Sequence, residues 1–388
     1  MIIINLIILF KCIVMVFSAR WSIHIPEETW DIMANCSFKE YKSEDRPDKC
    51  DYQDATCTYN DDPAVNCEIR RKGSGTWRDM GEKPSFKIKN MEDANGEDYN
   101  FGDFDCSEIP CNPAEHFPDG FNSWVTEKIT LNNGVQHTVY NAEVEAYNVF
   151  RKLGIIAPMA QMVTLSIYRG NELIRSSEYT MLETINDKAF MKKYFSNDYA
   201  LWEIDKGIEF ERDGGSLKDV NISGTDLYDL SLDQVDMDTM IAYYTGERIT
   251  KHFDGACMGN KINGIYQNHY IALDTSGKFY FIPSGVDNVF TCVDTSDSVP
   301  HCTPMEECWE NDVCKKKLIE SLDEAKKLKV PSTCKDDGFI MTGIIIGIVI
   351  LVFIVILFII IIISENKNKK QTIKTNTKKT NYEMKLRY

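Results

Sequence analysis

The stretch Lys278-Phe279-Tyr280-Phe281-Ile282-Pro283-Ser284-Gly285-Val286-Asp287 joins an apolar run to a turn that ends in an aspartate. Aromatic and β-branched side chains favour the pleated surface of a sheet, so the run predicts a strand. Two apolar residues at alternate positions, Ile271 and Leu273, precede a polar turn at Asp274–Lys278. Together these features predict a hairpin, with Asp287 in the turn beyond its second strand.

A second aspartate, Asp254, lies in the sequence His252-Phe253-Asp254-Gly255. Apolar residues at helical spacing precede it: Val235, Met237, Met240, Ile241 and Tyr244. This spacing predicts a helix that ends before Asp254. An acid after a helix and an acid after a strand are typical of nucleotide-dependent phosphotransferases, which use one to orient the acceptor hydroxyl and the other to bind metal.

Both ends of the chain carry apolar runs. Met1–Phe17 with the small residues that follow has the pattern of a signal peptide over residues 1–19. Phe339–Ile363 has no charged residue and at about 25 residues is long enough to span a bilayer. The tail, residues 364–388, carries eight Lys and Arg against two Glu, which marks the cytoplasmic side. The sequence therefore predicts a single-pass type I membrane protein whose ectodomain, residues 20–338, lies at the cell surface or in the lumen of the secretory pathway.

The chain is acidic, with a formal net charge of −16. Such a charge repels the phosphate backbone, which argues against a nucleic acid partner. We expect an extracellular or lumenal protein as the substrate or ligand, and the membrane as the only other partner.

Thirteen cysteines become twelve once Cys12 leaves with the signal peptide, an even number that predicts disulfides in an oxidising compartment. The spacing has no paired Cys-x-x-Cys motifs, which argues against zinc. Cys257 and Cys292 follow the two aspartates closely, and we hypothesise a disulfide between them. Two glycosylation sequons, at Asn35 and Asn221, are expected on surface loops.

The order of predicted elements divides the ectodomain at Glu183. Strands with a glycine-containing turn, a helix from Tyr140 to Leu153 and a hairpin precede it. Beyond it the pattern becomes helical and acidic and ends in a polar helix over Met305–Lys329. We predict an α+β, disulfide-rich ectodomain with an N-lobe of about residues 60–183 and a C-lobe of about residues 184–330.

A series of short motifs between Glu68 and Phe290 follows the order of motifs in one protein family. They are Lys72-Gly73-Ser74-Gly75-Thr76, Lys83-Pro84-Ser85-Phe86-Lys87-Ile88-Lys89, Glu143 to Gly154 with Ala157-Pro158, Tyr179 to Asn186, Phe253-Asp254-Gly255, Asn268-His269-Tyr270 and Ile282 to Asp287. The series resembles the CotH kinase family, the spore coat protein H type of secreted, atypical kinase-like proteins. The resemblance implies a two-lobed atypical protein kinase-like fold, with ATP and Mg²⁺ or Mn²⁺ as cofactors.

The resemblance also implies a role for each residue that binds the nucleotide. Lys87 is the first choice for the lysine that contacts phosphate, because it lies mid-strand on the polar face, and Lys83 is the second. Glu143 is the expected ion-pair partner of that lysine. Glu183 is expected to line the nucleotide pocket.

The same motifs imply roles for the residues near the reacting groups. Asp254 is expected to orient or deprotonate the acceptor hydroxyl. Asp287 and Asn268 are expected to hold the metal, with Asn260 as an alternative to Asn268. Gly285 occupies the position of the first aspartate in the family's Asp-x-Asp pair, which removes one oxygen ligand.

Two functions are consistent with this pattern. The first is a protein kinase that transfers phosphate from ATP to Ser or Thr hydroxyls of extracellular or lumenal proteins. The second is a catalytically impaired pseudokinase that acts as a membrane-anchored recognition or adhesion protein. Lys87, Glu143 and Asp254 favour the first, whereas Gly285 favours the second.

Overall fold

The computed structural model describes residues 19–331 except 44, 94, 97–98, 100–126, 138, 196–197, 206–208, 218–229, 253, 259–267, 292–301 and 329. All described residues belong to one compact unit. Residues 1–18, the predicted transmembrane helix at 339–363, the basic tail, Asn221 and Asn260 lie outside the described residues. Within the described ranges, no helix combines the length and the apolar character needed to cross a bilayer.

Seven strands form a closed barrel in the first part of the chain. They are β1 (Ala19–Ile25), β2 (Gln53–Tyr59), β3 (Val65–Lys72), β4 (Ser85–Glu92), β5 (Ile129–Asn132), β6 (Ala160–Arg169) and β7 (Glu172–Glu183). Their order around the barrel is β1-β2-β3-β4-β5-β7-β6. The barrel closes where β1 pairs in parallel with β6, from Ala19 opposite Val163 to Ile25 opposite Arg169.

The interior of the barrel is filled by apolar side chains at alternate strand positions. On β1, Trp21, Ile23 and Ile25 are buried, whereas Ser22 and His24 on the other face are partly exposed. This alternation follows from the two-residue period of a strand. Each such large side chain contributes about 1.5–3 kcal/mol through burial, so the interior pattern fixes the register of the barrel.

A second, four-stranded antiparallel sheet follows the barrel. Its strands are β8 (Ala200–Asp205), β9 (Glu209–Gly215), β10 (His269–Leu273) and β11 (Phe279–Pro283), in the order β11-β10-β8-β9. Apolar residues on one face of this sheet pack with three helices and with the helix that follows β5 in one hydrophobic core, and those on the other face pack with the helix that follows β7 in a second core.

The helices are short, and several begin at a polar cap. They are α1 (Glu27–Ala34), α2 (Phe38–Tyr41), α3 (Ala142–Lys152), α4 (Lys188–Tyr194), α5 (Met237–Thr250), α6 (Thr303–Glu310) and α7 (Asp312–Ala325), with a 3₁₀ turn at Asp48–Cys50. The Asp236 side chain accepts a hydrogen bond from the Thr239 N–H at 2.9 Å and begins α5, the helix that leads to Asp254. The polar helix predicted over Met305–Lys329 is wrong, because Asn311 is extended and separates α6 from α7.

The predicted two-lobed, protein kinase-like fold is also wrong. The prediction began its first lobe near residue 60, but β1 and β2 come earlier and are part of the same sheet. Because β1 pairs with both β2 and β6, the sheet closes into a seven-stranded barrel. The architecture is therefore a barrel followed by a mixed α/β region.

Four disulfides connect described cysteines: Cys36–Cys50, Cys57–Cys67, Cys257–Cys302 and Cys308–Cys314. The hypothesised Cys257–Cys292 bridge is wrong, since Cys257 pairs with Cys302 at the start of α6. The four bridges are typical of an oxidising extracellular or lumenal compartment.

Candidate functional site

A cavity of about 440 Å³ lies where the barrel, α3 and the second sheet meet. Side chains from β3, β4, β5, β8 and the loops around β10 and β11 line it. The cavity brings together Lys87, Glu143, Glu183, Asp254, Asn268 and Asp287. Six predicted site residues from distant parts of the chain therefore share one surface.

Two lysines reach the cavity from the barrel. Lys87 lies in β4 and Lys72 is the last residue of β3, directly before the glycine-containing turn. Burial lowers the pKa of Lys87, an effect that Glu203 opposes and Lys72 increases. Burial also lowers the pKa of Lys72, and the charges of Glu143 and Asp287 oppose this effect. The cationic form of each lysine therefore depends on acids in the same cavity.

Asn132 connects Lys72 to Glu143. The Lys72 ammonium donates a hydrogen bond to Asn132 Oδ1 at 2.7 Å, and Asn132 Nδ2 donates to Glu143 Oε1 at 2.5 Å. Glu143 is placed by the first turn of α3 and is fully buried. Lys72 is therefore the lysine that is coupled to Glu143. For Lys87, the acid with the largest effect on the pKa is Glu203.

The second oxygen of Glu143 faces His137. The distance between Glu143 Oε2 and His137 Nε2 is 3.5 Å, and Oε2 accepts no hydrogen bond from the described residues. A buried carboxylate with one unsatisfied oxygen is costly, so a nearby cation stabilises it. Lys72, held by Asn132, is that cation.

Asp254 is held at the cavity by residues on both sides. Its Oδ2 accepts a hydrogen bond from Asn268 Nδ2 at 2.7 Å, and its Oδ1 lies 3.4 Å from His252 Nε2. Oδ1 accepts no hydrogen bond within the described residues. Burial lowers the pKa of His252, although Asp254 opposes this effect, so a neutral imidazole is favoured. Asp254 thus has Oδ1 buried against His252 and Oδ2 held by Asn268, and its side chain remains partly exposed at the cavity.

Glu247 supports the loop that carries Asp254. Its Oε2 accepts hydrogen bonds from the backbone N–H groups of Cys257 and Met258, both at 3.0 Å. The Cys257–Cys302 disulfide connects the same loop to α6. The position of Asp254 is therefore set by the buried carboxyl group of Glu247 and a covalent bridge.

Asp287 lies in the turn after β11 and is only partly exposed. Burial raises its pKa to about 7, the charge of Glu143 adds to this effect, and Lys72 opposes it. Its carboxylate form is thus destabilised by neighbouring acids and would be stabilised by an additional cation.

An aspartate in place of Gly285 would be strained in this backbone. Its φ is +58°, and a Cβ atom there would lie 2.5 Å from Asn268 Oδ1. Asn268 also has a positive φ, its backbone carbonyl accepts the Ser284 N–H at 3.0 Å, and its side chain is held by the hydrogen bond to Asp254, so it has little room to move. Glycine therefore suits the backbone conformation at position 285, and an aspartate placed there would not reproduce the Asp-x-Asp pair of the CotH kinase family without a change in the turn.

We expect Gly285→Ala to lower the free energy of unfolding more than Gly277→Ala. Both glycines have positive φ, but a Cβ at Gly277 meets nothing within 4 Å. The backbone cost of about 1–2 kcal/mol is common to both variants, and steric overlap with Asn268 adds about 1–3 kcal/mol at Gly285. Urea unfolding measures the difference, and equal stability of the two variants would contradict this description of the turn.

Two of the predicted residues have other surroundings. Lys83 precedes β4 and lines a separate cavity of about 240 Å³, with its ammonium 5.0 Å from the centre of the Tyr179 ring. Glu183 lines the main cavity, but its Oε2 accepts the Met159 N–H at 2.9 Å and its Oε1 lies 3.6 Å from Lys193 Nζ. Glu183 therefore joins β6, β7 and α4.

The oxygen donors of the cavity fit a metal that arrives with phosphate. Within the described part of the chain, no group of three or more His, Cys, Asp or Glu side chains is arranged to hold a metal ion. Mg²⁺ is commonly bound by one or two carboxylates together with phosphate oxygens and water. Asp287 supplies one carboxylate and Asn268 an amide side chain at the same cavity.

Sequence reasoning missed Lys72, Asn132 and Glu203. Lys72 was treated as part of a turn, and Asn132 and Glu203 lie on strands that were not predicted. The position of Lys72 directly before Gly73 was the available signal, because a lysine beside a glycine turn is suited to bind phosphate.

Comparison with known proteins gives no relative. No family model matches the chain, and no characterised protein matches its sequence. The resemblance to the CotH kinase family depends on the motifs alone and stays a prediction.

Proposed function

We propose that this protein is a CotH-like protein kinase that transfers the γ-phosphoryl group of ATP to Ser or Thr hydroxyls of extracellular or lumenal proteins. The observation that supports this function best is the meeting of lysines and acids at one cavity. Lys72 and Lys87 come from the barrel, whereas Asp254, Asn268 and Asp287 come from the region of the second sheet. Cations for a polyphosphate therefore lie in the same cavity as acids for a metal ion and a hydroxyl.

Each side chain has a role in this reaction. Lys72 and Lys87 bind phosphate oxygens, and Glu143 with Asn132 orients Lys72. Asp254 accepts the proton of the Ser or Thr hydroxyl. The hydroxyl oxygen then forms a bond to the γ-phosphorus, while the bond between that phosphorus and the bridging oxygen breaks and ADP leaves. Asp287 and Asn268 would hold Mg²⁺ or Mn²⁺, which neutralises charge on the phosphates when bound.

Replacing Lys72 is expected to weaken ATP binding. In Lys72→Met the charge coupled to Glu143 is lost, and affinity for ATP with Mg²⁺ should fall about tenfold or more, since charge-assisted hydrogen bonds to phosphate are removed. Lys83→Met is the matched control, because Lys83 lines a different cavity. Isothermal titration calorimetry on the full chain with intact disulfides measures both. A larger loss in Lys83→Met than in Lys72→Met would contradict the assignment.

The second candidate is a pseudokinase that acts as a surface recognition or adhesion protein. It is favoured by Gly285, where the backbone disfavours a further metal-binding acid beside Asn268. Nucleotide binding without phosphate transfer would support this function over the first.

For location, we propose a single-pass type I membrane protein anchored by residues 339–363, with the described unit outside the cytoplasm. The disulfides support this proposal, and the exposed sequon at Asn35, at the end of α1, is accessible for glycosylation.

A further inference from the structure

A disulfide-closed loop from Cys36 to Cys50 contributes to the cavity. It contains α2 and the 3₁₀ turn, and its Tyr41 and Lys42 side chains line the cavity beside the glycine turn. The sequence of this loop predicts a disulfide from its cysteines but does not predict that the loop lines the cavity.

The loop is fixed to the barrel by Arg71, which is 3% exposed. The Arg71 guanidinium donates hydrogen bonds to the Met33 carbonyl at 2.8 Å and to the Cys36 carbonyl, and it lies 4.2 Å from the centre of the Trp77 ring. A buried guanidinium with these partners holds the start of the loop against the end of β3.

Tyr41 places the next residue, Lys42, at the cavity. The Tyr41 ring lies between Trp77, 4.8 Å away, and the Arg46 guanidinium, 4.7 Å away. Arg46 Nε also donates a hydrogen bond to the Tyr41 carbonyl at 2.9 Å. Tyr41 is also close enough to Lys87 to act on it electrostatically. The backbone at Lys42 is therefore ordered by packing close to the phosphate-binding lysine.

The cavity thus receives three lysines from three separate segments: Lys42 from the loop, Lys72 from β3 and Lys87 from β4. Like charges at close range repel one another, and Lys72 and Lys87 already interact in this way. An extended polyanion relieves that repulsion by contacting several lysines together. A single phosphate group does not need three cations from three segments.

We propose that Lys42 is a specificity-determining residue that selects ligands with a chain of phosphates, such as a nucleoside triphosphate, over nucleoside monophosphates. The inference rests on the proposed function, since it concerns the same cavity, and it adds the Cys36–Cys50 loop to the ligand site. The wild-type protein should bind ATP more tightly than ADP and ADP more tightly than AMP. Inorganic tripolyphosphate should compete with ATP.

The test is calorimetric titration of the full, disulfide-intact chain with AMP, ADP, ATP and inorganic tripolyphosphate. Lys42→Ala should weaken binding of ATP and tripolyphosphate about tenfold and leave AMP unchanged, because a charge-assisted contact with distal phosphates is lost. Lys42→Arg should restore most of the affinity. Lys39→Ala is the matched control, since Lys39 is an exposed lysine of α2, three residues before Lys42, and does not line the cavity.

The outcomes separate this inference from the proposed function. If the wild-type protein binds ATP, but Lys42→Ala binds every ligand as tightly as Lys39→Ala and the wild-type protein do, the role of Lys42 is refuted and the proposed function stands. If the wild-type protein binds neither ATP nor tripolyphosphate, both are refuted. A loss of AMP binding equal to the loss of ATP binding would indicate a structural role for Lys42 and would also refute the selection of phosphate chains.

Discussion

Asp254→Asn is expected to reduce phosphate transfer by roughly 10²–10⁴-fold, the range for loss of a general base. The substitution keeps the shape of the side chain, and the new amide oxygen still accepts the hydrogen bond that Asn268 Nδ2 now donates to Oδ2. What is lost is the negative charge of the carboxylate and, with it, the basicity that takes up the hydroxyl proton. The effect should therefore appear in the rate and not in the folding of the loop.

The measurement is the rate of phosphate incorporation at saturating ATP, together with the melting temperature and the affinity for ATP. The melting temperature should stay close to that of the wild-type protein. Asp238→Asn is the control, because Asp238 is an exposed acid in the first turn of α5 that pairs with Lys317, away from the cavity. A transfer rate in Asp254→Asn equal to that of the control would remove Asp254 from the reaction.

Glu247 is expected to make the stability of the protein fall as the pH rises. Burial raises its pKa from the ordinary value of 4.5 to about 8, although hydrogen bonds from the Cys257 and Met258 N–H groups oppose this effect. Between these two values the folded state keeps a proton that the unfolded state has released, so folding loses free energy as the pH increases. The separation of about 3.5 pH units corresponds to roughly 5 kcal/mol.

Urea unfolding at intervals from pH 4.5 to pH 8.5 measures this dependence in the wild-type protein and in Glu247→Gln. The amide of the variant does not titrate, so the decrease in unfolding free energy over this range should become much smaller. Glu320→Gln, at an exposed position of α7, is the control and should retain the wild-type slope. Identical slopes in all three proteins would contradict a protonated Glu247 in the folded state.

The periodicity of apolar residues predicts the individual helices and hairpins of this chain, but it does not predict that seven strands close into a barrel. The predicted helix over Tyr140–Leu153 is confirmed as α3, and Gly154 after it has the positive φ of a helix end. The predicted β6–β7 and β10–β11 hairpins are confirmed as well. Each of these features depends on residues that are close in sequence.

The barrel depends on contacts between distant residues. The parallel pairing of β1 with β6 joins positions about 140 residues apart, and no local pattern specifies it. β5 has only four residues, all buried, so it shows no alternation of polar and apolar positions. A short buried strand of this kind cannot be distinguished from other apolar segments by periodicity.

The same distinction explains the site. Asp254 follows a recognisable helix and Asp287 a recognisable hairpin, whereas Asn268 was assigned from the motif resemblance alone, and the cavity brings the three together. The connection from Lys72 to Glu143 was missed because it passes through Asn132 on the unrecognised β5. The register of the barrel strands decides which lysine is coupled to Glu143, and the spacing of residues in the sequence does not predict that register.

The most direct test of the proposed function is incorporation of phosphate from γ-labelled ATP into a Ser- and Thr-rich protein by the full, disulfide-intact chain, with and without Mg²⁺ or Mn²⁺. We predict incorporation on Ser or Thr that requires the metal and is lost in Asp254→Asn. Metal-dependent ATP binding with no incorporation would contradict the kinase function and favour the pseudokinase, and absence of both would show that the cavity does not serve ATP.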